Sequence, residues 1–224
     1  ICLLSVVPCR LEPSGKSEMV TQLLFGELYT VLEQADDWLR IRHASDGYEC
    51  WISIKQHSTL SESDFNALRH SNMALCSDLV QVVHNRLNFS SFPITLGASL
   101  PFLNHAELRI GNSEFSFDGA YARSEEKKTI RDIIDTGLLL LNAPYLWGGR
   151  SPFGIDCSGF TQVIFRLNGY QLPRDAYQQV ELGVPLSFVE EAEPGDLAFF
   201  DNEEGTIVHV GLLLNNQQIL HASG

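Results

Sequence analysis

The spacing of apolar residues changes once along this chain, near Tyr121, and that change limits the fold more than any other feature. Upstream, "LLSVVPCRL", "TQLLFGELYTVLEQ", "DWLRIRHA" and, after the Asp46-Gly47 turn signal, "YECWISI" read as short strands separated by turns. Their spacing predicts a small β-barrel over residues 1–57. Residues 58–74 read as a polar connector with a short helix starting at Ser61 or Ser63. "DLVQVV", "PITLGASLPFL", "AELRIG" and "EFSFDGAY" predict a second, degenerate barrel over 75–121. Downstream, "SEEKKTIRDIIDTGLLLLNAP" predicts an amphipathic helix capped by Ser124, with an apolar stripe at Ile130, Ile133, Ile134, Leu138 and Leu141 and an end at Pro144. A Gly-rich loop, a helix over 157–167, a polar helical segment near 174–182 and three apolar strands complete a unit over 122–224. A sheet ending at Gly224 would carry an unpaired edge, so a further strand or two is expected beyond it.

The formal net charge of -13 and pI near 4.8 argue against nucleic acid and against anionic membrane surfaces, because both need clustered Lys and Arg. No stretch approaches the ~20 apolar residues of a membrane-spanning helix. The opening "ICLLSVVPCR" is too short and too interrupted for a signal peptide, although a chain starting without Met leaves a removed leader open. Cysteines 2, 9, 50, 76 and 157 form no C-x-x-C pair, and four of them read as buried, inert thiols. His43, His57, His70, His84 and His105 show no spacing typical of a metal site, so no metal or organic cofactor is expected. Trp38 and Trp51 read as barrel core, and Glu190, Glu191 and Glu193 as a solvated loop.

Cys157 is the cysteine whose neighbours carry chemistry. It follows Asp156 where the loop "YLWGGRSPFGID" turns into a helix. A thiol at a helix N-terminus faces unsatisfied N–H groups and the positive end of the dipole, which favour the thiolate and can hold an oxyanion. Asp156 works against ionisation, so a cationic partner is required. His209, a polar residue in the apolar run "TIVHVGLLL", supplies one. A three-residue loop at 214–216 would put His209 and His221 opposite each other on paired strands, letting the second ring orient the first.

"PYLWGGRSPFGIDCSGF", "PGDLAFF", "VHVGLLL" and "ILHASG" occur in that order, and together they resemble the NlpC/p60 family of papain-like cysteine peptidases over about 122–224. The resemblance implies an α+β fold: a papain-like catalytic domain, helices packed on an antiparallel sheet, preceded by one or two small SH3-like β-barrels. It implies Cys157 as nucleophile, His209 as base, His221 as orienting residue and Tyr145 with its hydroxyl beside the thiol. "SVVPCRLEPSGKSEMVTQLLFGE" with "DDWLRIRHASDGYECWIS" is similar to the bacterial SH3-type domain that precedes such peptidases. The arrangement resembles γ-D-glutamyl-L-diamino acid endopeptidases acting on small murein peptides with a free N-terminal L-Ala. Asp156 and Ser158 would then bind the substrate's α-amine, with Tyr48 and Glu12 closing the far side of the pocket. A preference for such peptides fits cytoplasmic recycling. An amidase cutting muramoyl-L-Ala and a non-catalytic wall-binding protein are the rival readings. Oligomeric state and the identity of the diamino acid stay open.

Overall fold

The computed structural model describes residues 1–71 and 73–224. Alternating burial builds the first unit, as strand geometry requires of a half-buried sheet. Its strands are β1 (Val6–Arg10), β2 (Met19–Leu24), β3 (Tyr29–Ala35), β4 (Trp38–His43) and β5 (Glu49–Ser53). They form an antiparallel sheet in the order β2-β1-β5-β4-β3 around Val7, Leu23, Leu39, Ile41 and Ile52. Among the described residues the ladder does not close between β2 and β3, so the expected barrel is an open sheet. Trp38 and Trp51 are half-buried and lie outside this core, contrary to expectation.

The run 21–34, read as one strand, is two. Gly26 breaks it with φ +78°, and a Cβ there would collide with the Ser99 carbonyl. The next residues therefore turn back at the junction with the second unit, bringing Glu27 inside. The connector carries α1 (Glu62–Arg69), whose N-cap Ser61 accepts from the Asp64 N–H.

The second unit comprises β6 (Ala74–Cys76), β7 (Val80–Asn85), β8 (Ser91–Thr95), β9 (Ser99–Leu100), β10 (Glu107–Ile110), β11 (Ser113–Ser116) and β12 (Tyr121–Arg123). They form two sheets, β10-β11-β7-β8 and β12-β6-β9. Phe25 of the first unit packs edge-on against Phe92 and Phe115 of the second at 5.7 and 5.4 Å between ring centres, so the two units share a core.

The third unit follows with α2 (Ile130–Leu139), the hairpin β13 (Arg150–Ser151) and β14 (Gly154–Ile155), α3 (Cys157–Leu167), α4 (Ala176–Gln179) and the sheet β15 (Leu197–Asp201), β16 (Ile207–Asn215), β17 (Gln218–Leu220). The cap of α2 is Thr129 and not Ser124. Thr129 and Asp132 form a reciprocal capping box, whereas Ser124 lies outside the helix. The buried face of α2 is also narrower than the expected stripe: Ile133 is buried, while Ile130, Leu138 and Leu141 stay exposed. α3 is the central element. Phe160, Val163, Ile164 and Leu167 pack against Ile133, Leu96 and Leu212, each such side chain contributing about 1.5–3 kcal/mol by leaving water. Among the described residues no helix is long and apolar enough to cross a membrane.

Candidate active site

Cys157 is the first residue of α3, and Asp156 is its cap, accepting from the Gly159 N–H at 2.7 Å. That leaves the first N–H groups of the helix free for an oxyanion. The loop bearing them rests on the first unit: Gly148, at φ +76°, has no room for a side chain over the Met19 carbonyl, and its N–H donates to Asp156 at 2.8 Å. The sulfur packs among Ala176 and Val210 and is nearly excluded from solvent. Burial pushes the thiol above its ordinary pKa and Asp156 adds to the shift. The backbone at Val210 and Ser158, and the Arg174 charge, pull the other way.

His209 lies in β16 beside Val210, and its Nε2 is 2.8 Å from His221 Nδ1. Among the described residues Nδ1 of His209 takes part in no hydrogen bond, with the Cys157 thiol or any other group. Burial and the neighbouring His221 hold His209 below the usual histidine value. With the thiol shifted up and the imidazole down, each group favours its neutral form in the free site.

The two histidines meet by a register other than the expected one. β16 pairs β17 as Leu212↔Leu220 and Leu213↔Ile219, with an irregularity before Asn215↔Gln218. The turn is therefore the two residues Asn216-Gln217, one residue tighter than the loop expected at 214–216, and extending the ladder puts Gly211 opposite His221. His209 then contacts His221 diagonally on the same face. Gly211 makes the space: a Cβ there would lie 2.9 Å from the Cβ of His221 and collide with Ile219. Gly211→Ala is expected to displace His221 and lower kcat/KM about 10²-fold with circular dichroism unchanged. Steady-state kinetics would check it.

Tyr145 bridges to Ile155, and its phenol lies within electrostatic reach of Cys157 and Asp156. Asp156 and Ser158 come together, but around a residue the sequence reading passed over. Arg174 donates to both Asp156 carboxylate oxygens at 2.6 and 3.1 Å, to Ser158 Oγ at 2.8 Å and to Thr21 Oγ1 of the first unit at 2.9 Å. The Asp156 carboxylate is thus already satisfied by Arg174 and two backbone N–H groups.

The next residue, Asp175, is also half-buried. Burial raises its pKa, and the neighbouring Arg174 and the phenols of Tyr177 and Tyr48 oppose that rise. Tyr48, from the first unit, therefore faces Asp175 and not Asp156. Glu12 is at the exposed turn between β1 and β2, where its N–H donates to Ser17 Oγ. The carboxylate of that turn region that reaches the third unit is Glu18, which accepts from Trp147 Nε1 at 2.6 Å. A "PRDAY" sequence opening a short helix was the available signal for Arg174 and Asp175. Nothing local marked Glu18.

The model of the NlpC/P60 family matches residues 142–224, and that of the bacterial dipeptidyl-peptidase Sh3 domain matches 10–56. Over 219 residues the chain is 50% identical to the γ-D-glutamyl-L-lysine dipeptidyl-peptidase of Bacillus subtilis (strain 168), covering 90% of this chain and 71% of that protein. The chain belongs to the NlpC/P60 family. Family membership makes it a cysteine peptidase. Dipeptidyl-peptidase 6 of Lysinibacillus sphaericus is 27% identical over 95% of this chain and 83% of its own length. The crystal structure of an NlpC/P60 family protein from Bacillus cereus ATCC 10987 superposes with a TM-score of 0.85 at 23% identity, covering 98% of this chain and 89% of that one, which shows the same fold across all three units.

Proposed function

We propose that the protein is a cysteine endopeptidase that hydrolyses the bond between the γ-carboxyl of D-Glu and a diamino acid, in small murein peptides with a free N-terminal L-Ala. The observation that carries this reading is Asp175: a half-buried carboxylate at the start of α4, next in sequence to the Arg174 that holds Asp156 and Ser158, and faced by Tyr48 from another unit. A position lined by two units suits recognition of a chain end, and a carboxylate there suits an ammonium group. Relatives named for γ-D-glutamyl-L-lysine dipeptidyl-peptidase activity support the bond assigned.

In the reaction, Cys157 Sγ attacks the γ-carbonyl carbon while its proton passes to His209 Nδ1. The oxyanion is held by the free N–H groups at the start of α3, with Tyr145 nearby. Collapse of the tetrahedral species expels the diamino acid's amine, which takes the proton from His209. Water deprotonated by His209 then hydrolyses the thioester and restores the thiol. His221 keeps His209 oriented throughout. Asp156, held by Arg174, fixes the nucleophile's loop, and the amine is assigned to Asp175, with Ser158 and Asp156 supporting that wall from within. An enzyme with this requirement acts on peptides already freed from glycan, a preference that fits a role in cytoplasmic recycling.

The test is L-Ala-γ-D-Glu-L-Lys, its diaminopimelate counterpart and their N-acetylated forms, with the released diamino acid followed by mass spectrometry. Cleavage of the free-amine peptides is expected, with a KM about 10-fold or more higher for the acetylated forms. Asp175→Asn should erase that difference while changing kcat little. Equal cleavage of both forms by the unaltered protein would remove the amine pocket. Cleavage between muramic acid and L-Ala would replace the reading with an amidase.

A further inference from the structure

Cys9 of β1, Cys50 of β5 and His43 at the end of β4 lie far apart in sequence and meet in the core of the first unit. All three side chains are buried. The two sulfurs point at the same ring nitrogen: His43 Nε2 is 3.9 Å from Cys9 Sγ and 3.6 Å from Cys50 Sγ, and all three donor atoms lie within 4.8 Å of one another. One imidazole nitrogen can accept a single S–H, so the ring takes one of these thiols, and Cys9 has as its other acceptor the Val7 carbonyl at 3.8 Å. A metal ion would satisfy all three at once. Zinc–thiolate and zinc–imidazole bonds at tetrahedral angles separate sulfur and nitrogen by about 3.6 Å, close to the distances here.

We propose that Cys9, His43 and Cys50 form a binding site for a thiophilic d10 cation, Zn²⁺ or Cu⁺, in the first unit. Two soft sulfurs and one imidazole match these ions and not calcium or magnesium, which take oxygen ligands. Binding forms two metal–sulfur bonds and one metal–nitrogen bond and releases the two thiol protons to solvent. The complex is neutral with Zn²⁺, which suits an apolar core. It carries one negative charge with Cu⁺, whose preference for three ligands matches the donor count. Because the donors are enclosed, the ion enters as the chain folds, and it ties together three strands of a sheet whose ladder is open between β2 and β3.

The experiment refolds the full chain carrying Cys157→Ala, which removes the catalytic thiol as a competitor, with Zn²⁺, with Cu⁺ under anaerobic reduction, or with Co²⁺ as a spectroscopic substitute. After desalting, metal is counted by mass spectrometry. About one Zn²⁺ or Cu⁺ per chain is expected, with a thermal midpoint about 5 °C or more above the metal-free protein. Cys50→Ala and Cys9→Ala in the same background should lose both. Co²⁺ should show thiolate charge-transfer absorption, which reports on the intact cluster if either variant fails to fold. Retention of Zn²⁺ alone or Cu⁺ alone identifies the ion. No metal retained, no charge-transfer band, or equal retention by a folded Cys50→Ala variant would overturn the proposal.

Discussion

Cys157→Ala is expected to lower peptide hydrolysis by about 10⁴-fold or more while leaving far-UV circular dichroism and the thermal midpoint close to the parent. The loss is large because the proposed mechanism runs through an acyl intermediate on this sulfur. The fold survives because Ala is well tolerated at the start of a helix, and the site keeps its cap through Asp156 and Gly159. His209→Ala should lose a similar factor, and the double variant little more, since nucleophile and base act as one unit. Product formation from the free-amine peptide, followed chromatographically, is the measurement. Undiminished turnover in Cys157→Ala would end the assignment of nucleophile.

Glu27→Gln is expected to cost about 3–5 kcal/mol of stability at neutral pH, far more than a typical substitution. Glu27 accepts from Arg150 at 2.9 and 3.0 Å and from Arg166 at 2.6 Å, and its carboxylate also takes the Leu24 N–H at 2.9 Å. Glu27 and Arg150 are buried and Arg166 is half-buried, so the amide would leave two arginine charges without compensation in a region of low dielectric. Burial alone would raise the Glu27 pKa, but the two guanidinium groups outweigh it and bring it down to about 2 from 4.5. Because the folded value lies below the unfolded one, the stabilisation is fully present above about pH 4.5 and is lost as pH falls toward 2. Urea denaturation of parent and variant at pH 7 and pH 3 should therefore show a gap that narrows in acid. A gap independent of pH would mean that the ion triad does not govern the difference.

The residues that could be found in the sequence were those whose role depends on near neighbours. Cys157 was marked by the loop before it and the helix after it, and His209 by being polar in an apolar strand. His221 was found as a partner, yet its register was misjudged because an irregularity near Asn215 cannot be counted from spacing alone. Thr129 was passed over for Ser124 because both precede acidic residues, and only packing decided which turn became helical. The residues missed share a different property. Arg174 reaches Thr21 across 153 positions, and Glu27 reaches Arg150 and Arg166 across 123 and 139. Such contacts leave no periodic trace. The choice of Glu12 over Glu18 failed in the same way, since the two acids lie on one turn and only the folded chain brings one of them to Trp147. The Cys9, His43 and Cys50 cluster draws on three strands and resembles no local metal motif.

The seat of Glu27 also bears on how such a peptidase can be taken apart. Arg166 donates both to that carboxylate and to Ser99 of the second unit, so one guanidinium is shared by three segments of the chain. The peptidase unit is consequently no portable cassette. Severed near residue 122, it would keep Arg150 and Arg166 but lose their shared counter-charge, turning a partly neutralised seam into a basic face on an otherwise acidic protein. Grafting it behind a foreign SH3-type unit would succeed only where the new neighbour brings an acid at the place of Glu27.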